Sequence, residues 1–291
     1  MEKHNVTESL DGDMGKDFLN CFQTGTKTKR RVKEMILVMD IGNTNIKAAV
    51  FDGSQLLTRW RCATNPAMTS DQYGIFMMDL IRYHGIQLKN IEGILISSVV
   101  PAINYTIEHM CRDYFGMEAK LLVPGMKTGL NIRYENPREL GSDRIANAVA
   151  TSELYGGPCI FIDFGTATTY GVVSGNREFL GGAIAPGLRM MNRALATGTA
   201  KLPEIELQMP EIAIGKTTIT NIQSGILLGY VGSVEYIVNK MKEEVGPDTK
   251  VIATGGMAYM IKDNSNVIDE INSDLTLIGL RLIYDRNHGK L

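Results

Sequence analysis

Two stretches of this chain share one plan, and together they restrict the fold more than any other feature. The first is Met35-Ile-Leu-Val-Met-Asp-Ile-Gly-Asn-Thr-Asn-Ile-Lys-Ala-Ala-Val-Phe51. It reads as a buried strand, a polar turn from Asp40 to Asn45, and a second strand. The second is Cys159-Ile-Phe-Ile-Asp-Phe-Gly-Thr-Ala-Thr-Thr-Tyr-Gly-Val-Val173, which repeats strand, Asp, any residue, Gly, polar turn, strand. Asp40 and Asp163 lie 123 positions apart, too far for a solenoid repeat and suited to two tandem domains on one plan. Glycine permits positive φ and close approach, and the backbone N–H groups and hydroxyls of such a turn can hold phosphate oxygens. A carboxylate beside a phosphate is repelled unless a cation lies between them, so Asp40 implies Mg²⁺, bound directly or through water. Taken alone, the first stretch reads equally as a hairpin with a polar tip.

A third piece joins the pair: Val251-Ile-Ala-Thr-Gly-Gly256, a short apolar strand ending in Thr-Gly-Gly. The two Asp turns and this strand resemble the sugar kinase, Hsp70 and actin superfamily, in which such a loop binds adenosine. The resemblance implies an α/β fold of two tandem ribonuclease-H-like domains with mixed sheets and an ATP cleft between them. We assign these domains to 35–149 and 150–291. Residues 1–34 are polar, lack periodicity and end in a basic run, so they read as a disordered extension or as sequence upstream of a start at Met35. Leu56–Arg61 reads as a third strand, and Asp71–Gly85 as a helix capped by Ser70 or Asp71. Strand Ile91–Val100, helix Ile103–Phe115 and strand Ala119–Val123 complete the first unit. In the second, strands at Tyr170–Val173 and Glu178–Ile184 precede a helix at Gly187–Thr197. A long helical pattern then runs from Thr220 to Val245, where Gly225, Gly229 and Gly232 permit close packing of another helix. The last helix is Leu275–Asp285.

Composition removes several classes. A net charge of −2 gives no electrostatic footprint for nucleic acid or an anionic membrane. No stretch approaches the roughly 18 apolar residues of a membrane span. The four cysteines, Cys21, Cys62, Cys111 and Cys159, are scattered without a Cys-x-x-Cys pair, which disfavours structural zinc and a disulfide framework and favours the cytoplasm. His84 and His109 fall on helical patterns without partner ligands and read as surface residues.

Between the two Asp turns lies Tyr134-Glu-Asn-Pro-Arg-Glu-Leu-Gly-Ser-Asp-Arg144. On local grounds Ser142 and Asp143 can cap the following helix, or Asp143 can serve as a general base beside a cation, Arg144. Read with the two Asp turns, this segment resembles type III pantothenate kinase. Gly181–Leu188, Thr199–Pro203, Ile214–Thr218 and Gln223–Gly225 agree in the same order, so the resemblance spans about Met35 to Asn287. It implies ATP-dependent phosphorylation of pantothenate to 4'-phosphopantothenate, the first step of coenzyme A synthesis, with Mg²⁺ and K⁺ or NH₄⁺. By match, Asp40, Ile41, Gly42, Asn43, Thr44, Asn45, Ile46, Lys47 and Thr166 would meet ATP, although Lys47 reads equally as a solvated strand residue. Tyr134, Gly141, Ser142, Asp143 and Arg144 would form the pantothenate site, with Asp143 as the base. Asp163 would bind the monovalent cation. A homodimer is implied, with Thr218 reaching the site across the interface. One departure is visible, because the family has Ala where this chain has Ser142; an extra hydroxyl there could perturb the hydrogen bonds of Asp143. The alternatives are a polyphosphate hydrolase of the same superfamily and a nucleotide-binding regulator.

Overall fold

The structure, a computed structural model, describes residues 34–291. The extension expected over 1–34 therefore lies outside the described residues, apart from Glu34, whose carboxylate pairs with Lys290 at 2.7 Å. Apolar runs become strands where the alternating residues find two faces to bury against. β1 (Met35–Ile41) is buried along its whole length. It pairs antiparallel with β2 (Asn45–Asp52), which pairs with β3 (Gln55–Ala63). After α1 (Ser70–Tyr83), β4 (Ile91–Ser98) returns parallel to β1. α2 (Pro101–Phe115) then leads to β5 (Lys120–Leu121), giving a five-stranded sheet of order β3-β2-β1-β4-β5. α1 begins one residue earlier than expected. Its N-cap is Thr69, which accepts from Gln72 N while the Gln72 side chain accepts from Thr69 N, a reciprocal pair that satisfies two otherwise open donors. The strand expected over Ala119–Val123 shrinks to the two residues of β5.

β6 (Asn131–Ile132) and α3 (Ser142–Tyr155) lead into the second sheet. There β7 (Cys159–Phe164), β8 (Ala167–Val173) and β9 (Glu178–Pro186) form an antiparallel meander. α4 (Leu188–Thr197) and α5 (Thr218–Gln223) follow, and a π-helical turn over Ser224–Leu228 joins α5 to α6 (Gly229–Val245). β10 (Lys250–Gly255), α7 (Ala258–Lys262), β11 (Glu270–Ile271) and α8 (Leu275–Asn287) complete the chain. The sheet order is β11-β10-β7-β8-β9-β6, with β10 parallel to β7. Both sheets are mixed.

Three cores hold these layers. Leu37, Met39 and Ile41 face α1 and α2 through Tyr73, Met77 and Ile107. The opposite face of the same sheet, with Val38 and Phe51, shares a core with α3, α8 and the Phe161 face of the second sheet. Ile160, Ile162 and Phe164 bury against α4, α6 and α7 on the far side. α3 and α8 thus form the central layer, and α3 runs across the expected boundary between 149 and 150. The two helices touch backbone to backbone, since a Cβ on Gly279 would lie 1.9 Å from Ala146 O. The glycines of the long helix behave differently from expectation. A methyl at Gly225, Gly229 or Gly232 would meet nothing within 4 Å, so no other helix among the described residues packs there. Among the described residues no helix is long and apolar enough to cross a membrane.

Candidate active site

The two polar turns lie at the ends of equivalent hairpins and meet. In the first, Gly42 N donates to Asn45 O at 3.0 Å, and Thr64 Oγ1 fixes Gly42 O at 2.6 Å. In the second, Gly165 N donates to Ala167 O at 3.2 Å. Thr44 Oγ1 and Thr166 Oγ1 stand 2.8 Å apart, so the turn tips are hydrogen-bonded to each other. Asn43, Thr44, Asn45 and Thr166 are exposed, whereas Ile41 and Ile46 point into the core beneath. Only the backbone of those two isoleucines is therefore available to a ligand.

Asp40 and Lys47 are opposite one another across β1 and β2. Asp40 is 8% exposed, and Ser97 Oγ donates to its Oδ1 at 3.0 Å. Burial pushes its carboxyl up to about 7, with Asp143 and Asp163 adding to the shift and Lys47 and Ser97 opposing it. Burial draws the Lys47 ammonium down, but Asp163, Asp40, Asp143 and Asp274 together carry its pKa above the usual lysine range. Lys47 is thus a half-buried cation among carboxylates rather than a solvated strand residue.

Asp143 sits in the first turn of α3, whose N-cap is Gly141 rather than Ser142 or Asp143. Its Oδ1 accepts from Arg144 N at 2.8 Å, and a Cβ on Gly141 would lie 2.5 Å from that oxygen. Burial raises the Asp143 pKa, helped by Asp163 and opposed by Arg144. The Ser142 hydroxyl does not disturb Asp143. It turns the other way, 3.0 Å from Ser97 Oγ, and accepts from Ser98 N at 3.1 Å. Arg144 is buried against the rings of Phe179 and Tyr134, with Cζ 5.6 and 5.9 Å from their centroids. Nη2 donates to Tyr170 O at 3.3 Å, and Nε has no partner among the described residues.

Asp163 closes the group. Asn147 Nδ2 donates to its Oδ2 at 3.4 Å, while Asn147 Oδ1 accepts from Thr276. Asp163 Oδ1 is buried without a hydrogen bond among the described residues. A buried carboxylate oxygen left in that state is costly unless a cation answers it, so this oxygen fits contact with a cation. Gly255, at φ +95°, lets its strand end pass beside that atom, because a Cβ there would stand 2.7 Å from Asp163 Oδ1. Asp40 fits Mg²⁺ in the usual way, as a single carboxylate completed by phosphates and water. Among the described residues there is no cluster of three or more His, Cys, Asp or Glu side chains that could cage a metal without a substrate.

The structure therefore gathers Asp40, Lys47, Asp143 and Asp163 at the junction of the two turns, with Arg144 and Tyr134 forming a wall beside them. Thr218 shares no hydrogen bond with this group; it is exposed at the start of α5, behind the Thr217–Thr220 capping box. Ser97, Asn147 and Thr276 were missed in the sequence. Ser97 carries a readable signal, since it ends an apolar strand in register with Asp40. Asn147 and Thr276 are interior helix residues with none. His84 stacks near Trp60 at 6.3 Å, and His109 pairs with Asp113 at 2.9 Å, both away from the site.

A family model described as type III pantothenate kinase matches residues 36–240. Among solved structures, a Campylobacter jejuni protein described as a Baf family transcriptional activator is 19% identical at a TM-score of 0.52, covering 87% of this chain and 100% of its own. The ethanolamine utilization protein EutJ of Carboxydothermus hydrogenoformans is 14% identical at a TM-score of 0.52, covering 86% of this chain and 89% of its own. The activator of 2-hydroxyisocaproyl-CoA dehydratase from Clostridium difficile, solved with bound ADPNP, is 13% identical at a TM-score of 0.51, covering 88% and 96%. At these identities the likeness concerns the fold alone, an α/β architecture built on two mixed sheets.

Proposed function

The chain belongs to the type III pantothenate kinase family and is a kinase, and from that premise we propose that it transfers the γ-phosphoryl group of ATP to the primary hydroxyl of pantothenate. The product is 4'-phosphopantothenate, the first step of coenzyme A synthesis, which we place in the cytoplasm. The observation that carries this reading is the meeting of two phosphate-type turns, bonded through Thr44 and Thr166, above three carboxylates and one lysine. We read 35–149 and 150–291 as the two domains, each contributing one turn to the nucleotide.

Phosphoryl transfer asks a protein mainly to align the reacting oxygens and offset charge. The backbone of Asp40 to Lys47 and the hydroxyls of Thr44 and Thr166 would hold the phosphates. Mg²⁺ bound with ATP would neutralise phosphate charge at Asp40, and a monovalent cation would answer Asp163 Oδ1. Asp143, fixed by Arg144 N, accepts a hydrogen bond from the attacking hydroxyl. As that oxygen bonds to the γ-phosphorus, the bond to the bridging oxygen of ADP breaks and the proton passes to Asp143. Tyr134, Gly141 and Arg144 would position pantothenate, with Arg144 Nε facing its anionic end.

We also read the protein as a homodimer. Gly225, Leu228, Gly229, Gly232 and Tyr236 lie at helical spacing and are exposed, and Ile219 beside Thr218 is 51% exposed. A close-packed partner on this face suits the bare glycines and would bring its own Thr218 toward the site. A coupled assay of ADP release with and without pantothenate tests the reading. Release that needs pantothenate supports it. Release without pantothenate indicates a hydrolase, and ATP binding without release indicates a regulator, the role printed for the Campylobacter relative.

A further inference from the structure

We propose that Ser97 and Ser142 are positioning residues for Asp40, forming a buried hydroxyl chain that fixes the carboxylate facing the metal–phosphate group and ties it to the helix carrying Asp143. The inference rests on the reading of Asp40 as the residue beside the metal-bound phosphates. Asp40 and Ser97 are register partners on the parallel strands β1 and β4, so their side chains leave the sheet on the same side. Ser97 is fully buried, and among the described residues it is the only side chain that hydrogen-bonds to Asp40.

The direction of the chain follows from the number of protons. Ser97 has one hydroxyl proton and donates it to Asp40 Oδ1 at 3.0 Å. Its oxygen can therefore only accept from Ser142 Oγ, 3.0 Å away. Ser142 Oγ in turn accepts from Ser98 N at 3.1 Å, with Ser98 O a longer alternative acceptor at 3.3 Å. Backbone N–H, hydroxyl, hydroxyl and carboxylate thus run in one sense, and each donor polarises the next. Ser142 is only 9% exposed. Two hydroxyls in a packed interior are costly unless bonded, and methyl groups would fill the same space. The arrangement therefore serves the orientation of an anion better than it serves packing.

The test uses the full chain with Ser97→Ala, Ser142→Ala and Ser142→Thr. Calorimetry measures the affinity of a non-hydrolysable ATP analogue at stepped Mg²⁺ and in EDTA, alongside kcat, KM and melting temperature. Ser97→Ala is expected to weaken the Mg²⁺-dependent affinity about tenfold, the size of one lost hydrogen bond to a charged group. Ser142→Ala is expected to weaken it about threefold, with Ser142→Thr close to the parent because it keeps the hydroxyl. Affinity in EDTA and KM for pantothenate should change less than about twofold. Unchanged Mg²⁺-dependent affinity with a lower melting temperature would make the chain a packing feature and overturn the proposal. A rise confined to the pantothenate KM would overturn it in favour of a substrate-wall role. A parent that binds the analogue with Mg²⁺ yet leaves pantothenate unphosphorylated would sink the functional reading while leaving this inference standing on the calorimetry.

Discussion

Asp143 has one oxygen held by Arg144 N, so Asp143→Asn can keep that hydrogen bond while losing the ability to take a proton. A positioned base contributes about 10²–10⁴-fold, and kcat is expected to fall at least about 10²-fold with ATP affinity and melting temperature near the parent's. A near-normal kcat would reduce Asp143 to a helix-end residue, an outcome that a loose transition state would permit. Arg144→Lys keeps a charge but not the planar fork, and should raise KM for pantothenate about tenfold with kcat little changed. Asp40 yields a test of a different kind. Its carboxyl titrates near 7 in the ligand-free fold against an ordinary 3.8, so between those values the folded state holds a proton that the unfolded chain has lost. Stability in EDTA should therefore fall as pH rises from about 4 to about 7 and then level off, by an amount on the order of 2–4 kcal/mol. Asp40→Asn should flatten most of that slope, leaving the smaller share that buried Asp143 adds in the same sense, and should melt higher than the parent at pH 8, as read by scanning calorimetry in EDTA. A parent curve flat across that window would refute the assignment. The residues that the two turns bring together were legible because short-range chemistry marks them: an Asp at a strand end, a Gly after it, an Asp-Arg pair at a helix start. Their supports were not, because Asn147 and Thr276 reach Asp163 only through the packing of α3 on α8.

At the scale of elements, α3 and α8 make the closest helix-to-helix contact. The atom facing Gly279 is the Ala146 carbonyl, which no side-chain rotation can move aside. Gly279→Ala should cost about 1–3 kcal/mol or somewhat more, lowering the melting temperature by about 3–10 °C. Because α3 carries Asp143, kcat at a permissive temperature should fall as well; a variant that melts and turns over like the parent would show that the helices can part. Strands with long apolar runs and turn residues at their ends, β1, β2, β4 and β7, were readable from sequence alone. β5 was read too long, as Ala119–Val123, and β6 was not read at all, since two residues carry no period and pair only because a neighbouring strand is already in place. α8 was visible as a helix but its surroundings were not. It is buried nearly all round, from Leu275 through Asp285, so no single apolar stripe in its sequence names the neighbours.

For the whole molecule, the exposed stripe on α5 and α6 makes the assembly testable. Leu228→Asp puts a charge at a residue that is 39% exposed between bare glycines, and light scattering should then report a monomer with reduced turnover at unchanged melting of the isolated chain. A parent that is already monomeric at assay concentration would end the dimer reading. The placement of α8 has a consequence of another kind. This last helix lies on β1, β2 and β4, covering the face that carries Ile36, Val38, Ala49, Phe51 and Leu95. During synthesis those strands leave the ribosome nearly two hundred residues, by rough count, before their cover exists, and ribosomes add about 5–20 residues per second. For many seconds the nascent chain therefore lacks the cover that α8 gives this apolar face, with only Leu122, Leu140 and α3 beside it. A chaperone is expected to bind this protein during translation and to release it only when residues 275–287 have emerged.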